Sequence, residues 1–231
     1  MEKKLALLFT LIGTIVASSL PATAAPMNIT SSSYVTLNFN GFHESSYIQI
    51  PGLSGLMNLS AFAFTAASVD GVTATRVVFN YSVINDSSSP VLTSRISAFA
   101  FDTAPGILHT PLNQVSGTFS SVILGANQPN GIGTVEICLA AGNCTGGGGG
   151  ITLGNSGSGA ATLYFAGSIN SLKINDAFLR YQSVSCTAGS SCSGSASGQL
   201  IDNSQIPEPS SYALILSGIA GLALVSRYRP A

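Results

Sequence analysis

Through most of its length this chain alternates between apolar and polar residues. Val35, Leu37 and Phe39 are separated by Thr36 and Asn38, and similar short runs recur at Phe62–Phe64, Val77–Ile84, Ile96–Phe101, Phe119–Leu124, Val135–Leu139, Thr162–Phe165 and Leu172–Tyr181. A period of two places every other side chain on one face of an extended strand; a helix needs apolar residues three and four apart, and no segment of the body shows that stripe. The runs are rich in Val, Ile, Thr, Phe and Tyr, and clusters of Gly, Asn, Pro and Ser separate them. That pattern reads as strands joined by turns. Many short strands, each with one face to bury, predict an all-β body: an antiparallel β-sandwich or jelly roll of roughly eight to ten strands.

Charge limits the functions open to such a body. Charged residues make up 7% of the chain, while 45% is hydrophobic, so there is apolar surface to bury, and hydroxyls and amides must wet the outside. Between about residues 26 and 206 there are four basic residues (Arg76, Arg95, Lys173, Arg180). Seven acidic ones oppose them (Glu44, Asp70, Asp86, Asp102, Glu136, Asp176, Asp202), a net charge of −3. Phosphate backbones are bound by clustered cations, and four scattered ones exclude nucleic acid as a partner.

The two ends have a different character. Lys3 and Lys4 precede an apolar run, Leu5–Val16, which is followed by Ala22-Thr23-Ala24. A positive start, a short apolar helix and small residues at positions Ala22 and Ala24 predict a secretory signal peptide, residues 1–24, cleaved after Ala24. At the other end Pro207-Glu208-Pro209 leads into an apolar stretch, Tyr212–Val225, and then Arg227 and Arg229. Fourteen helical residues span about 21 Å, short of the roughly 30 Å hydrocarbon core. The segment therefore reads as a transmembrane helix suited to transient anchoring, with the two arginines at the cytoplasmic headgroups. Ile206-Pro207-Glu208-Pro209, a short transmembrane stretch and an Arg-containing terminus, in that order, resemble the PEP-CTERM sorting signal, a tail sometimes labelled after ice-binding proteins that carry it. The basic end is thin for that family, with Tyr228 between the arginines. The resemblance implies recognition by an exosortase, a membrane-embedded cysteine transpeptidase that cuts near the motif, and it covers only the tail.

Four cysteines form two pairs of equal spacing, Cys138 with Cys144 and Cys186 with Cys192. An even count in an exported chain favours disulfides. Three connectivities are formally open, and the two local ones are expected, because five intervening residues let the Cα atoms return to within about 6 Å. Zinc is disfavoured: neither pair has a nearby His and the spacing is loose. The glycine run Gly146–Gly150 reads as a flexible loop or hairpin tip, without the Lys and following helix of a phosphate loop. Ser183–Gly198, rich in Ser and Gly, reads as a long hairpin loop or the start of a tether. Cys138 and Cys144 before a glycine run, then Leu179-Arg180-Tyr181-Gln182-Ser183, are similar to the cistern group of PEP-CTERM proteins, a resemblance that implies no particular activity.

Catalysis needs a nucleophile, a base and an orienting group, or two carboxylates across a bond. His43 and His109 are the only histidines, both in turn-like surroundings. A Ser/His/Asp set could be drawn with Asp102, but no Gly-x-Ser-x-Gly elbow is present. Glu44 and Glu136 are the only glutamates of the body, and nothing in the sequence brings them together. Asp70-Gly71 and Asn85-Asp86-Ser87-Ser88 are oxygen-rich, yet each offers one carboxylate, and such pairs are ordinary turn residues. The sequons at Asn58 and Asn80 arise readily in a chain so rich in Ser and Thr.

The expected organisation is a signal peptide (1–24), an exported body (25–198), and a tether with sorting signal (199–231: motif 206–209, transmembrane segment 212–225, basic end 227–231). No catalytic residue, metal or cofactor is expected. The partners are the export machinery, signal peptidase, an exosortase and extracellular polysaccharide. The chain is expected to be anchored transiently in the inner membrane and then placed at the cell surface, with a structural or interaction role in extracellular polymer. A carbohydrate- or polymer-binding module is the alternative and a secreted hydrolase the next. An exposed row of Tyr or Phe would favour sugar stacking, which the absence of Trp weakens.

Overall fold

The computed structural model describes residues 26–43, 48–128, 132–188 and 192–201. The strands are β1 (Met27–Thr30), β2 (Val35–His43), β3 (Gln49–Val69), β4 (Val72–Ile84), β5 (Val91–Ala104), β6 (Gln114–Gly117), β7 (Ser121–Gln128), β8 (Gly133–Ala140), β9 (Ile151–Thr152), β10 (Ser156–Ala166), β11 (Ser171–Cys186) and β12 (Ser193–Ile201). All pairings are antiparallel, and no helix occurs among the described residues. The alternating runs of the sequence fall on strands, except that Phe119 and Ser120 lie just before β7. Their inward-facing apolar members are buried, whereas Ile84 at the end of β4 is exposed.

The expectation of two stacked sheets is corrected to one 12-stranded sheet, ten of its strands in the order β6-β10-β4-β3-β2-β12-β11-β5-β8-β7, with β1 paired to β11 and β9 to β5. The sheet curls until its two ends meet. β6 and β7 are joined by Thr118-Phe119-Ser120, whose amides bond alternately to either side of the seam: Thr118 N–H to Ser158 O (3.1 Å) and Ser120 N–H to Ala140 O (2.9 Å). Phe119 between them is fully buried and stacks on Tyr81 at 5.2 Å. Phe39 of β2 meets Phe99 of β5 edge-to-face at 6.3 Å, although two strands separate them in the sheet. The interior is therefore filled as in a flattened barrel, from facing walls of one sheet.

The strands are longer than average for globular proteins; β3 has 21 residues and β11 has 16. They bend at irregularities. Ala61 has φ +54° where β3 shifts register, and Asp176 and Ser183 have φ +40° and +53° at the register shifts of β11. Extra residues of this kind raise local twist and let one strand serve two walls.

Ser183–Gly198, expected to be a loop or tether, instead includes the end of β11 and most of β12, which lies inside the sheet between β11 and β2. Packing accounts for its small residues. A Cβ at Gly198 would lie 2.7 Å from the Tyr181 ring and 3.1 Å from Leu179 Cβ, so the lane admits little more than hydrogen there. β12 runs on to Ile201. β1 pairs with the same edge of β11, with Met27 opposite Ile174 and Gln199 opposite Phe178. Two short strands thus share one lane, and the described body begins and ends at neighbouring points.

Candidate functional site

The disulfides are the two local ones, Cys138–Cys144 (Cα–Cα 6.2 Å) and Cys186–Cys192 (5.8 Å). The second closes the β11–β12 connection. The first draws the β8–β9 loop over the outer face of β5 and β8, where Ala98, Ala100, Cys138, Ala140 and Cys144 form a second, smaller apolar cluster. The glycine run belongs to this loop. Arg95 Nη2 donates to Gly147 O at 2.6 Å, and Arg180 Nη2 donates to Thr145 O at 3.2 Å. A Cβ at Gly150, with φ +105°, would overlap Ile96 O. Glycine is needed there so that the loop can lie flat on the sheet.

Of the titratable groups singled out by sequence, Asp102 and Glu136 are occupied in holding the turn after β5. Asp102 Oδ1 accepts the Glu136 N–H at 2.6 Å, not a histidine. Glu136 in turn accepts Thr103 N–H (2.9 Å), Thr103 Oγ1–H (2.6 Å) and Ile107 N–H (2.6 Å), which staples the turn after β5. Desolvation raises the Asp102 pKa; the Glu136 N–H opposes the shift, and the Asp176 and Glu136 charges add to it. His43 ends β2, and His109 lies in the loop between β5 and β6. Glu44 falls outside the described residues, as do Ala22, Ala24, Pro207, Glu208, Pro209, Arg227 and Arg229.

Asp70-Gly71 forms the two-residue turn of the β3–β4 hairpin, with φ +51° and +80°. Asn85 is fully buried. Its Oδ1 accepts Ser87 Oγ–H (2.7 Å) and Ser94 Oγ–H (3.1 Å), and its Nδ2 donates to Ile151 O (3.1 Å). The Asn85 side-chain oxygen of this oxygen-rich segment is therefore used internally. Among the described residues no group of three or more His, Cys, Asp or Glu could hold a metal, and no helix is long and apolar enough to cross a membrane.

One surface has a different composition from the rest. On the outer face of β12, β2, β3, β4 and β10, cross-strand register builds polar rows. Thr36, Asn58, Ser82 and Ser158 align across four strands; Thr36 Oγ1 donates to Asn58 Oδ1 (2.8 Å), and Asn58 Nδ2 donates to Ser82 Oγ (3.3 Å). Ser60, Asn80 and Ala160 align on one side of this row. On the other are Ile201, Asn38, Leu56, Ile84 and Ser156, then Gln199, Asn40 and Ser54. Among the described residues these rows hold no charged side chain. Arg76 is reached only further along β4, while Arg95, Asp102, Glu136 and Arg180 lie on the opposite wall. No family model matches the chain, and neither a curated protein nor a solved structure is significantly similar to it. Sequence reasoning missed this face. The polar members of each alternating run were visible, but their alignment into rows depends on register between strands far apart in the chain.

Proposed function

We propose that this is an exported surface or extracellular-matrix protein, sorted by an exosortase-type transpeptidase, whose body is a structural or interaction module working in uncharged extracellular polymer. The observation that carries the reading of the body is the uncharged outer face of β12, β2, β3, β4 and β10, whose rows of Asn, Gln, Ser and Thr also take in Leu56, Ile84 and Ile201. Such a face offers neutral donors and acceptors at the strand spacing of about 4.8 Å and presents no charge that a neutral polymer would have to desolvate. The two export signals, read from sequence, support delivery outside the cell. Sugar-ring stacking is not favoured: Tyr34 is the one large exposed aromatic among the described residues, and it stands alone in the β1–β2 turn.

Expression of the full chain in an exosortase-bearing host, followed by mass measurement of the secreted form, tests the sorting half. A product starting near Ala25 and ending near Pro207 is expected, and a full-length tail kept in the inner membrane would overturn it. Co-sedimentation of that product with an insoluble neutral polysaccharide tests the body. Binding should be insensitive to salt and should be lost when Asn58 and Asn80 are both changed to Leu. Salt-sensitive binding, or binding that survives Asn58→Leu/Asn80→Leu, would remove the face from consideration.

A further inference from the structure

The upper half of β3 has a partner on one edge only. β2 leaves β3 after the Val35–Leu59 pair, the register shift between Ser60 and Ala63 bends β3 away, and from Ala63 to Val69 the strand pairs with β4 alone. Val69 and Val72 close the hairpin around Asp70-Gly71, so Ala67, Thr65 and Ala63 in turn bond to β4. Phe64, Ala66 and Ser68 then point their N–H and C=O groups away from it. Among the described residues no strand lies on that side.

Proteins usually guard such an edge with a lysine, a proline, a bulge in the open stretch or a covering segment. The β10 edge is guarded in this way: β6 pairs along it, Asn113 Oδ1 accepts Tyr164 N–H (2.8 Å), and Leu108 N–H donates to Tyr164 O (2.8 Å). Residues 61–69, Ala-Phe-Ala-Phe-Thr-Ala-Ala-Ser-Val, contain no charge and no proline. Ala63, Thr65, Ala66 and Ser68 are exposed.

We infer that this edge is an interaction surface for a second copy of the chain, paired antiparallel about a two-fold axis at Ala66. The register follows from which groups point outward. Ala66 meets Ala66 of the second copy and Phe64 meets its Ser68, forming about six main-chain hydrogen bonds. Three features of the segment favour its own copy. Absence of charge removes like-charge repulsion between identical strands, alanine on the axis lets the backbones approach, and the outward-pointing residues are spaced symmetrically about it. One strand edge buries less than the roughly 1,000 Å² expected of a stable interface, so the pairing is weak and rises with concentration.

All four cysteines are in disulfides, so a new thiol can be addressed selectively. In the purified, oxidised full chain, Ala66→Cys treated with a short bis-maleimide should give at least tenfold more covalent dimer than Thr73→Cys, a site also exposed, on the paired strand. The yield should rise with protein concentration. Adding Ser68→Pro to Ala66→Cys removes an outward N–H and leaves the bonds to β4 in place, and it should return the yield to the Thr73→Cys level. Equal yields from Ala66→Cys and Thr73→Cys, or a yield independent of concentration, would overturn the inference. So would an Ala66→Cys adduct whose mass is not that of two chains plus one linker.

Discussion

Asn85→Ala is the most informative perturbation of the body. Asn85 has no solvent exposure, and its amide ties three segments together: the turn after β4 through Ser87, β5 through Ser94, and β9 through the Ile151 carbonyl. Ser87 Oγ also bonds Ser54 O at 3.0 Å, so that hydroxyl keeps a partner when the amide is gone. Ser94 Oγ loses its partner, while Ile151 O, opposite Ile96 in the β5–β9 ladder, loses only its side-chain donor. A buried group left without a partner costs about 1–3 kcal/mol, and that is the expected loss, a large share of the 5–15 kcal/mol typical of a domain. Urea unfolding of the oxidised secreted form, followed by far-UV circular dichroism, should show the midpoint falling at an unchanged slope. Asn85→Asp should be at least as damaging, because its carboxylate would have to be buried without a cation. A loss below about 1 kcal/mol for Asn85→Ala would refute the view that this amide joins the three segments.

The two buried tyrosines of the core should respond oppositely to Phe. Tyr81 Oη accepts Phe119 N–H and donates to Ser116 O, each at 2.9 Å, so Tyr81→Phe should cost about 1–3 kcal/mol in urea unfolding; Tyr181 Oη is buried without a partner, and Tyr181→Phe should be neutral or stabilising. Burial raises the Asp102 pKa above its ordinary 3.8. The folded state therefore holds this proton more tightly than the unfolded chain, so the contribution of Asp102 to stability is greatest below 3.8 and is lost as pH rises through the folded value. Asp102→Asn, which can still accept the Glu136 N–H, should stabilise at neutral pH and lose that advantage below the ordinary aspartate value; stabilisation independent of pH would contradict the cause given. Under a mild thiol reductant, alkylation and mass measurement should find Cys186 and Cys192 modified first. They are half-exposed, whereas Cys138 and Cys144 are buried, and the reverse order would show that the β8–β9 loop opens more readily than the hairpin.

Sequence reasoning reached the strands because burial on one face writes a period of two directly into the chain. It reached the disulfides because each closes a local loop. It did not reach β12, whose Ser, Gly and Ala residues resemble a linker until Tyr181 is placed over Gly198, a contact that depends on tertiary packing. The single curled sheet was hidden for a related reason. Two stacked sheets and a flattened barrel need the same alternating pattern, and they differ only at the seam, where Thr118-Phe119-Ser120 bonds to both β10 and β8. Of the polar face, only the residues were legible. Thr36, Asn58 and Ser82 become one hydrogen-bonded row once bulges and turns fix the register.

The shared lane of β1 and β12 connects the fold to the proposed sorting route. Were β12 an edge strand, a tether continuing from Ile201 could peel it from the sheet one hydrogen-bonded pair at a time. Instead β12 is bonded on both sides, through Phe178–Gln199 to Ser185–Ser193 with β11 and through Asn38–Ile201 to His43–Ala196 with β2. A load drawn along it is therefore shared by both ladders at once. The same lane passes β2 into the polar face, since Gln199 aligns with Asn40 and Ser54. The strand from which the proposed tether continues is thus itself one strand of the proposed polymer-binding face, so tension between membrane and matrix would pass sideways from β12 through the ladders to β2, β3 and β4 and would not cross the core.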